Sequence, residues 1–200
     1  MIPERCVFHA RTTHNADARD LHPLSVLERT DPRAFASAIA KYDGTPERRR
    51  LRETWIPFLE ATWTEVVFLS PVQPRAIWEA WRSIAGVELP GQEFWAIPVE
   101  DLGPAVVFDR HLRRTGDPID PGEIEVFDAA SYRSAGETTP RNARWIDELA
   151  RAGRPGAWFN GTPHVLTKNP VPLRSAEVID WRPTTPRGSG TGPTGPSSRS

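Results

Sequence analysis

The stretch Phe94-Trp95-Ala96-Ile97-Pro98-Val99-Glu100-Asp101-Leu102-Gly103-Pro104-Ala105-Val106-Val107-Phe108-Asp109 carries the reading that sets the fold class. It holds two short runs, Phe94–Val99 and Ala105–Asp109, rich in β-branched and aromatic residues and parted by a Gly-Pro turn signal. No helix separates them, so they follow one another like hairpin strands rather than in βαβ alternation. Comparable runs occupy Arg5–His9, Glu65–Leu69, Glu123–Phe127, His164–Lys168 and Glu177–Trp181. Helices with marked ends stand between some of them. Asp31-Pro32 reads as an N-cap followed by proline at the first helical position, leading Arg33–Tyr42 towards Gly44. Gln73-Pro74 opens a second helix running to Gly86, with Ile77, Trp78, Trp81 and Ile84 on one face. Thr139-Pro140 opens a third that closes at Gly153. The pattern predicts an α+β fold with mixed or antiparallel sheets and a few flanking helices.

The chain has 200 residues, which suits one globular domain of about 1–183. Residues 184–200 contain only Thr, Pro, Arg, Gly and Ser, with nothing to bury against the entropy of ordering, and read as a disordered tail. A formal charge of −1 gives no global basic signature for nucleic acid. Lys41 and Lys168 are the lysines among 25 Lys and Arg, a bias best assigned to genomic base composition. A single cysteine, Cys6, excludes an internal disulfide and a cysteine-based zinc cluster. No run approaches the ~18–20 apolar residues that span a bilayer, and Met1–Arg5 lacks the basic head of a signal peptide. A soluble, cytoplasmic protein that does not enter the membrane is expected. The 8 Trp against 2 Tyr predict a well-filled core, because an indole buries a large area and needs one partner for its N–H.

The densest polar cluster after a strand is Val7-Phe8-His9-Ala10-Arg11-Thr12-Thr13-His14-Asn15. His9 ends the strand, and Arg11, Thr12, Thr13 and Asn15 can either hydrogen-bond a ligand or cap the turn. Tyr42 follows Lys41 at a helix end, where it can stack on a ligand ring. Ser70 follows an apolar strand without a nucleophile-elbow motif around it. Trp158, in Trp158-Phe159-Asn160-Gly161-Thr162-Pro163-His164, suits a pocket mouth or the cover of an aromatic core. The 5 His show no metal-ligand spacing, so no metal is expected.

The order of these blocks resembles the ADP-ribosyltransferase-like fold, particularly its DarT-like and RNA 2'-phosphotransferase-like branches. The resemblance rests on Val7-Phe8-His9-Ala10-Arg11-Thr12, on Asp20-Leu21-His22-Pro23-Leu24, on Val67-Phe68-Leu69-Ser70, and on the pair Trp95–Val99 and Val106–Asp109. It closes on His164-Val165-Leu166-Thr167-Lys168-Asn169-Pro170-Val171-Pro172-Leu173 followed by Glu177-Val178-Ile179-Asp180. It implies an NAD-handling transferase or glycohydrolase with NAD as substrate. His9 would hold a ribose, Thr12, Thr13 and Asn15 would line the phosphate side, and Tyr42 or Trp158 would stack on nicotinamide. The family opens its late strand with a catalytic Glu, where this chain has Pro163-His164. That carboxylate offsets the positive charge that builds on ribose as the glycosidic bond breaks. An imidazole lacks the fixed charge, so His164, or Glu125 from a neighbouring strand, would have to work on the ribose with altered chemistry.

Two other readings follow from the same residues. One is a non-catalytic interaction or regulatory protein, motivated by the missing Glu and by Trp78 and Trp81 on one helix. The other is a small-molecule enzyme of specialised metabolism using His9 and His164 as an acid–base pair. The telling arrangement is whether His9, Tyr42, Ser70, Glu125 and His164 line one cleft, and both enzymatic readings fail as stated if His9 and His164 lie on opposite faces. The small-molecule or macromolecular acceptor is not identified by the sequence.

Overall fold

In the computed structural model, which describes residues 4–111, 115–154 and 156–183, each strand-like run of the sequence contains a strand. The chain begins with β1 (Cys6–Ala10) and β2 (Asp20–Leu21), then α1 (Leu24–Thr30), α2 (Pro32–Ile39) and α3 (Pro46–Leu51). A short hairpin, β3 (Trp55–Ile56) and β4 (Ala61–Thr62), leads to β5 (Val67–Leu69) and α4 (Pro74–Ala80). After α4 come β6 (Glu93–Pro98), β7 (Ala105–Phe108), β8 (Ile124–Val126) and α5 (Pro140–Arg151). The last strands are β9 (His164–Thr167), β10 (Val171–Pro172) and β11 (Glu177–Asp180). The fold is α+β, and the pairings between these strands are antiparallel.

The helix signals act as the sequence predicts. Asp31 Oδ1 accepts the Ala34 N–H at 2.9 Å, and α2 tightens into a 3-10 turn over Ala40–Tyr42 before Gly44. The Thr139 hydroxyl accepts the Asn142 N–H at 3.0 Å to start α5. Helix α4 runs on as a π turn, Trp81–Ala85, and stops where Gly86 takes the left-handed conformation at φ 63°. Helices α1 and α3 are additions to the reading. The first has no side-chain cap, and the second, started by Thr45, coincides with the basic run Arg48–Arg50. Strands of two residues, β2, β3, β4 and β10, are too short to show periodicity.

The two runs that open the sequence argument do not pair with each other. β6 lies between β1 and β11 in a three-stranded sheet, while β7 lies between β9 and β8 in a four-stranded one. The sheets meet at one rung, where Phe8 and Ser70 exchange backbone hydrogen bonds of 2.9 and 2.7 Å. Past that rung β1 and β5 part. One core cluster runs across the join through Val7, Ile97, Leu69 and Val165. A second packs Val106, Phe108, Ile124 and Leu166 beneath the β3–β4 hairpin, through Ile56, Leu59 and Ala61. A third holds α4 and α5 against the three-stranded sheet, with Ile77, Trp78, Trp81, Ile146, Leu149, Phe94 and Trp181. Trp181 is fully buried, donates its indole N–H to Pro90 at 2.9 Å, and packs on Phe94 and Trp158. Trp78 and Trp81 are 3% and 2% exposed, so their helix face is core, not an interaction surface. Residues 184–200, read as a tail, lie outside the described residues. No helix among the described residues is long and apolar enough to cross a membrane.

Candidate functional site

Where β1 and β5 diverge, the side chain of His9 fills the gap. Its Nδ1 lies 3.0 Å from the Phe68 carbonyl oxygen. A carbonyl only accepts, so Nδ1 carries the proton and Nε2 is left with a lone pair. Burial lowers the imidazole below its ordinary value, against the Phe68 bond and helped by the charge of Lys41. His9 is therefore neutral at pH 7.

That imidazole lines a cavity of about 450 Å³ enclosed by the loop after β1, by β5, and by α1, α2 and the turn that ends α2. The size is in the range that takes small ligands. Thr12, His14, Ser37, Lys41 and Tyr42 supply polar groups, and Leu21, Leu24, Leu27 and Val67 supply apolar wall. The Lys41 ammonium sits 5.0 Å from the Tyr42 ring centroid. Tyr42 is fixed in turn, because its hydroxyl accepts the Trp63 indole N–H at 3.0 Å. His14 and Ser37 join the two rims of the cavity by a 3.0 Å hydrogen bond.

Of the residues marked in the sequence, His9, Thr12, Asn15 and Tyr42 line this cavity. Asn15 is engaged in shaping the turn: its Oδ1 accepts the Thr12 N–H at 2.8 Å and its Nδ2 donates to Ala10 at 3.0 Å. Thr13 is exposed on the same turn. Arg11 leaves the site, pairing with Glu93 beside the Trp95 ring. Ser70 bonds within its own turn, donating to Val72 at 2.9 Å and accepting from the Val72 N–H at 3.1 Å. Trp158 packs on Trp181 in the helix-side core, with ring centroids 4.8 Å apart and planes tilted by 57°, and Glu125 is exposed on β8, an edge strand. The sequence reading did not mark Phe68, Lys41, His14 and Ser37 as site residues. Lys41 and His14 stood inside marked blocks, whereas Ser37 carries no local signal at all.

His164 and His9 do not line one cavity. His164 opens β9 and faces a second, neighbouring cavity of about 370 Å³. The two imidazoles meet at Phe68: His9 bonds its carbonyl, and the His164 ring stands edge-on to its ring at 5.9 Å. Burial pushes the His164 pKa down to about 4, against the charge of Asp109, which raises it. Asp109 is the carboxylate whose field reaches His164, and it is ion-paired with Arg141. Among the described residues no group of three or more His, Cys, Asp or Glu is gathered to hold a metal ion.

No family model matches this chain, and neither a curated protein nor a solved structure gives a significant match.

Proposed function

We propose that the protein binds a nicotinamide-nucleotide type of ligand in the His9 cavity, as an NAD-handling protein of ADP-ribosyltransferase-like fold with altered chemistry. One observation carries the reading. A neutral imidazole whose free nitrogen is an acceptor and a lysine ammonium line the same 450 Å³ cavity. The first suits a ribose hydroxyl and the second a phosphate. The order of blocks along the chain adds the resemblance, and the apolar wall suits the face of a base.

The chemistry departs from the family's in a definite way. Standard transfer needs a carboxylate at the ribose, and the residue at that place in the strand order is His164, in the other cavity. A pair of His9 and His164 acting on one ribose, or on one small substrate, is not supported by that separation. Binding without transfer, or slow hydrolysis of NAD, fits better.

The test is a titration of the purified protein with NAD, following both melting temperature and free nicotinamide. A thermal shift that is lost in Lys41→Ala supports the reading. Release of nicotinamide identifies a hydrolase or transferase, and a shift without release identifies a binding protein. Absence of both overturns the proposal.

A further inference from the structure

The turn that ends α2 gathers more positive charge than the first cavity contains. Among the described residues lining that cavity, Lys41 is the single Lys or Arg and Asp20 the single Asp or Glu. The charge of the Lys41 ammonium is felt by the His9 imidazole, so it serves the interior. Two further cations are tied to the backbone of the same turn by α3, whose start is set where the Thr45 hydroxyl accepts the Arg48 N–H. Arg48 Nη1 donates to the Lys41 carbonyl oxygen at 3.2 Å, and Arg49 Nη1 donates to the Asp43 carbonyl oxygen at 2.8 Å. The carboxylates beside them are matched elsewhere: Asp43 is ion-paired with Arg52, and Glu47 faces Arg50 at 3.6 Å. Among the described residues no carboxylate stands within ion-pair distance of Arg48 or Arg49, and both residues are exposed. A carbonyl that holds a guanidinium fixes its place without neutralising it, and leaves its other N–H groups to donate.

From this arrangement we infer that Arg48 and Arg49 form an outer phosphate subsite continuous with Lys41, so that the ligand of the first cavity carries two linked phosphates. The inference rests on the nucleotide reading of that cavity and narrows it to a dinucleotide joined by a pyrophosphate. Inside, one ammonium stands against one carboxylate, which suits a single phosphate at Lys41 and leaves no second cation for another. The second phosphate meets its cations outside, at the guanidinium pinned to the backbone of Lys41 and at its neighbour on Asp43. The nicotinamide nucleoside lies within the cavity, and the other nucleoside passes out over the exposed side of α3.

The test titrates the full chain with NAD and with nicotinamide mononucleotide by calorimetry at one ionic strength. NAD should bind about tenfold or more tighter than the mononucleotide. The double variant Arg48→Gln/Arg49→Gln should weaken NAD about tenfold and the mononucleotide by less than about twofold. Arg48→Lys should keep most of the NAD affinity, because it keeps the charge, whereas Lys41→Ala should weaken both ligands. Both arginines are exposed, so each variant should retain its cooperative melt. NAD binding no tighter than the mononucleotide overturns the inference and leaves the nucleotide reading of the cavity standing. So does a double variant that weakens both ligands by the same factor, because the arginines then act only as helix-end caps or as a diffuse field. Binding of neither ligand overturns the nucleotide reading itself, and this inference with it.

Discussion

His9 Nδ1 lies 3.0 Å from the main-chain oxygen of Phe68, on the carbonyl that the next rung of a β1–β5 ladder would have used. Hydrogen-bonded pairs in an antiparallel ladder recur every second residue, so Phe8–Ser70 would be followed by Ala10–Phe68. The strands part there, the imidazole satisfies the freed acceptor, and the gap between the strands opens into the cavity.

The first prediction concerns that imidazole. Long-range proton–nitrogen correlation spectra at pH 7 should show His9 as the neutral tautomer protonated on Nδ1, titrating below the ordinary histidine range. A proton on Nε2, or a charged ring at pH 7, would contradict the geometry.

Core tryptophans should dominate stability. Trp181→Ala removes a fully buried indole and its bond to Pro90, and should cost about 3–5 kcal/mol in urea unfolding. Trp55, 55% exposed, is the control: Trp55→Ala should cost about 0.5 kcal/mol or less.

Stability should also fall in mild acid through His164. Its folded pKa, about 4, lies below the ordinary histidine value of 6.5, so between those values the unfolded chain binds the proton and the folded chain does not. The contribution is complete above pH 6.5 and is withdrawn as pH falls towards 4, by at most about 1.4 kcal/mol per unit. His164→Gln should flatten the melting temperature over that window, and an unchanged slope would remove His164 as its source.

Asn142 on α5 is fully buried and holds the segment that leads into β9. Its Nδ2 donates to Trp158 and Asn160 at 2.8 and 2.7 Å, and its Oδ1 accepts from the Thr138 hydroxyl at 2.7 Å. Asn142→Ala should cost about 1–3 kcal/mol by leaving those carbonyls unpaired. Asn142→Asp should cost more at neutral pH, because a carboxylate then faces two carbonyl oxygens, and the gap should narrow as pH falls. Equal midpoints for the two variants across pH would refute the assignment.

Ser70 gives the opposite expectation. Its hydroxyl serves its own turn, so Ser70→Ala should cost about 1 kcal/mol and leave any NAD-induced thermal shift unchanged.

What the sequence determined by itself was local. Asp31, Thr139 and the Pro residues after them fix where helices start, since a capping oxygen and a preset φ act within three residues. β-Branched runs fix where strands lie, and the buried faces of Trp78 and Trp81 follow from helical spacing. Tertiary structure alone decided partners. β6 and β7, adjacent in the chain, went to different sheets, because pairing depends on which distant faces bury together. The same holds for the site. Asn15 and Arg11 were spent on a turn and an ion pair, and Ser37, from a helix with no local signal, arrived at the rim. His9 was set at its cavity by the parting of β1 from β5, and His164 at a neighbouring one by the pairing of β9 with β7, non-local events that no short motif encodes.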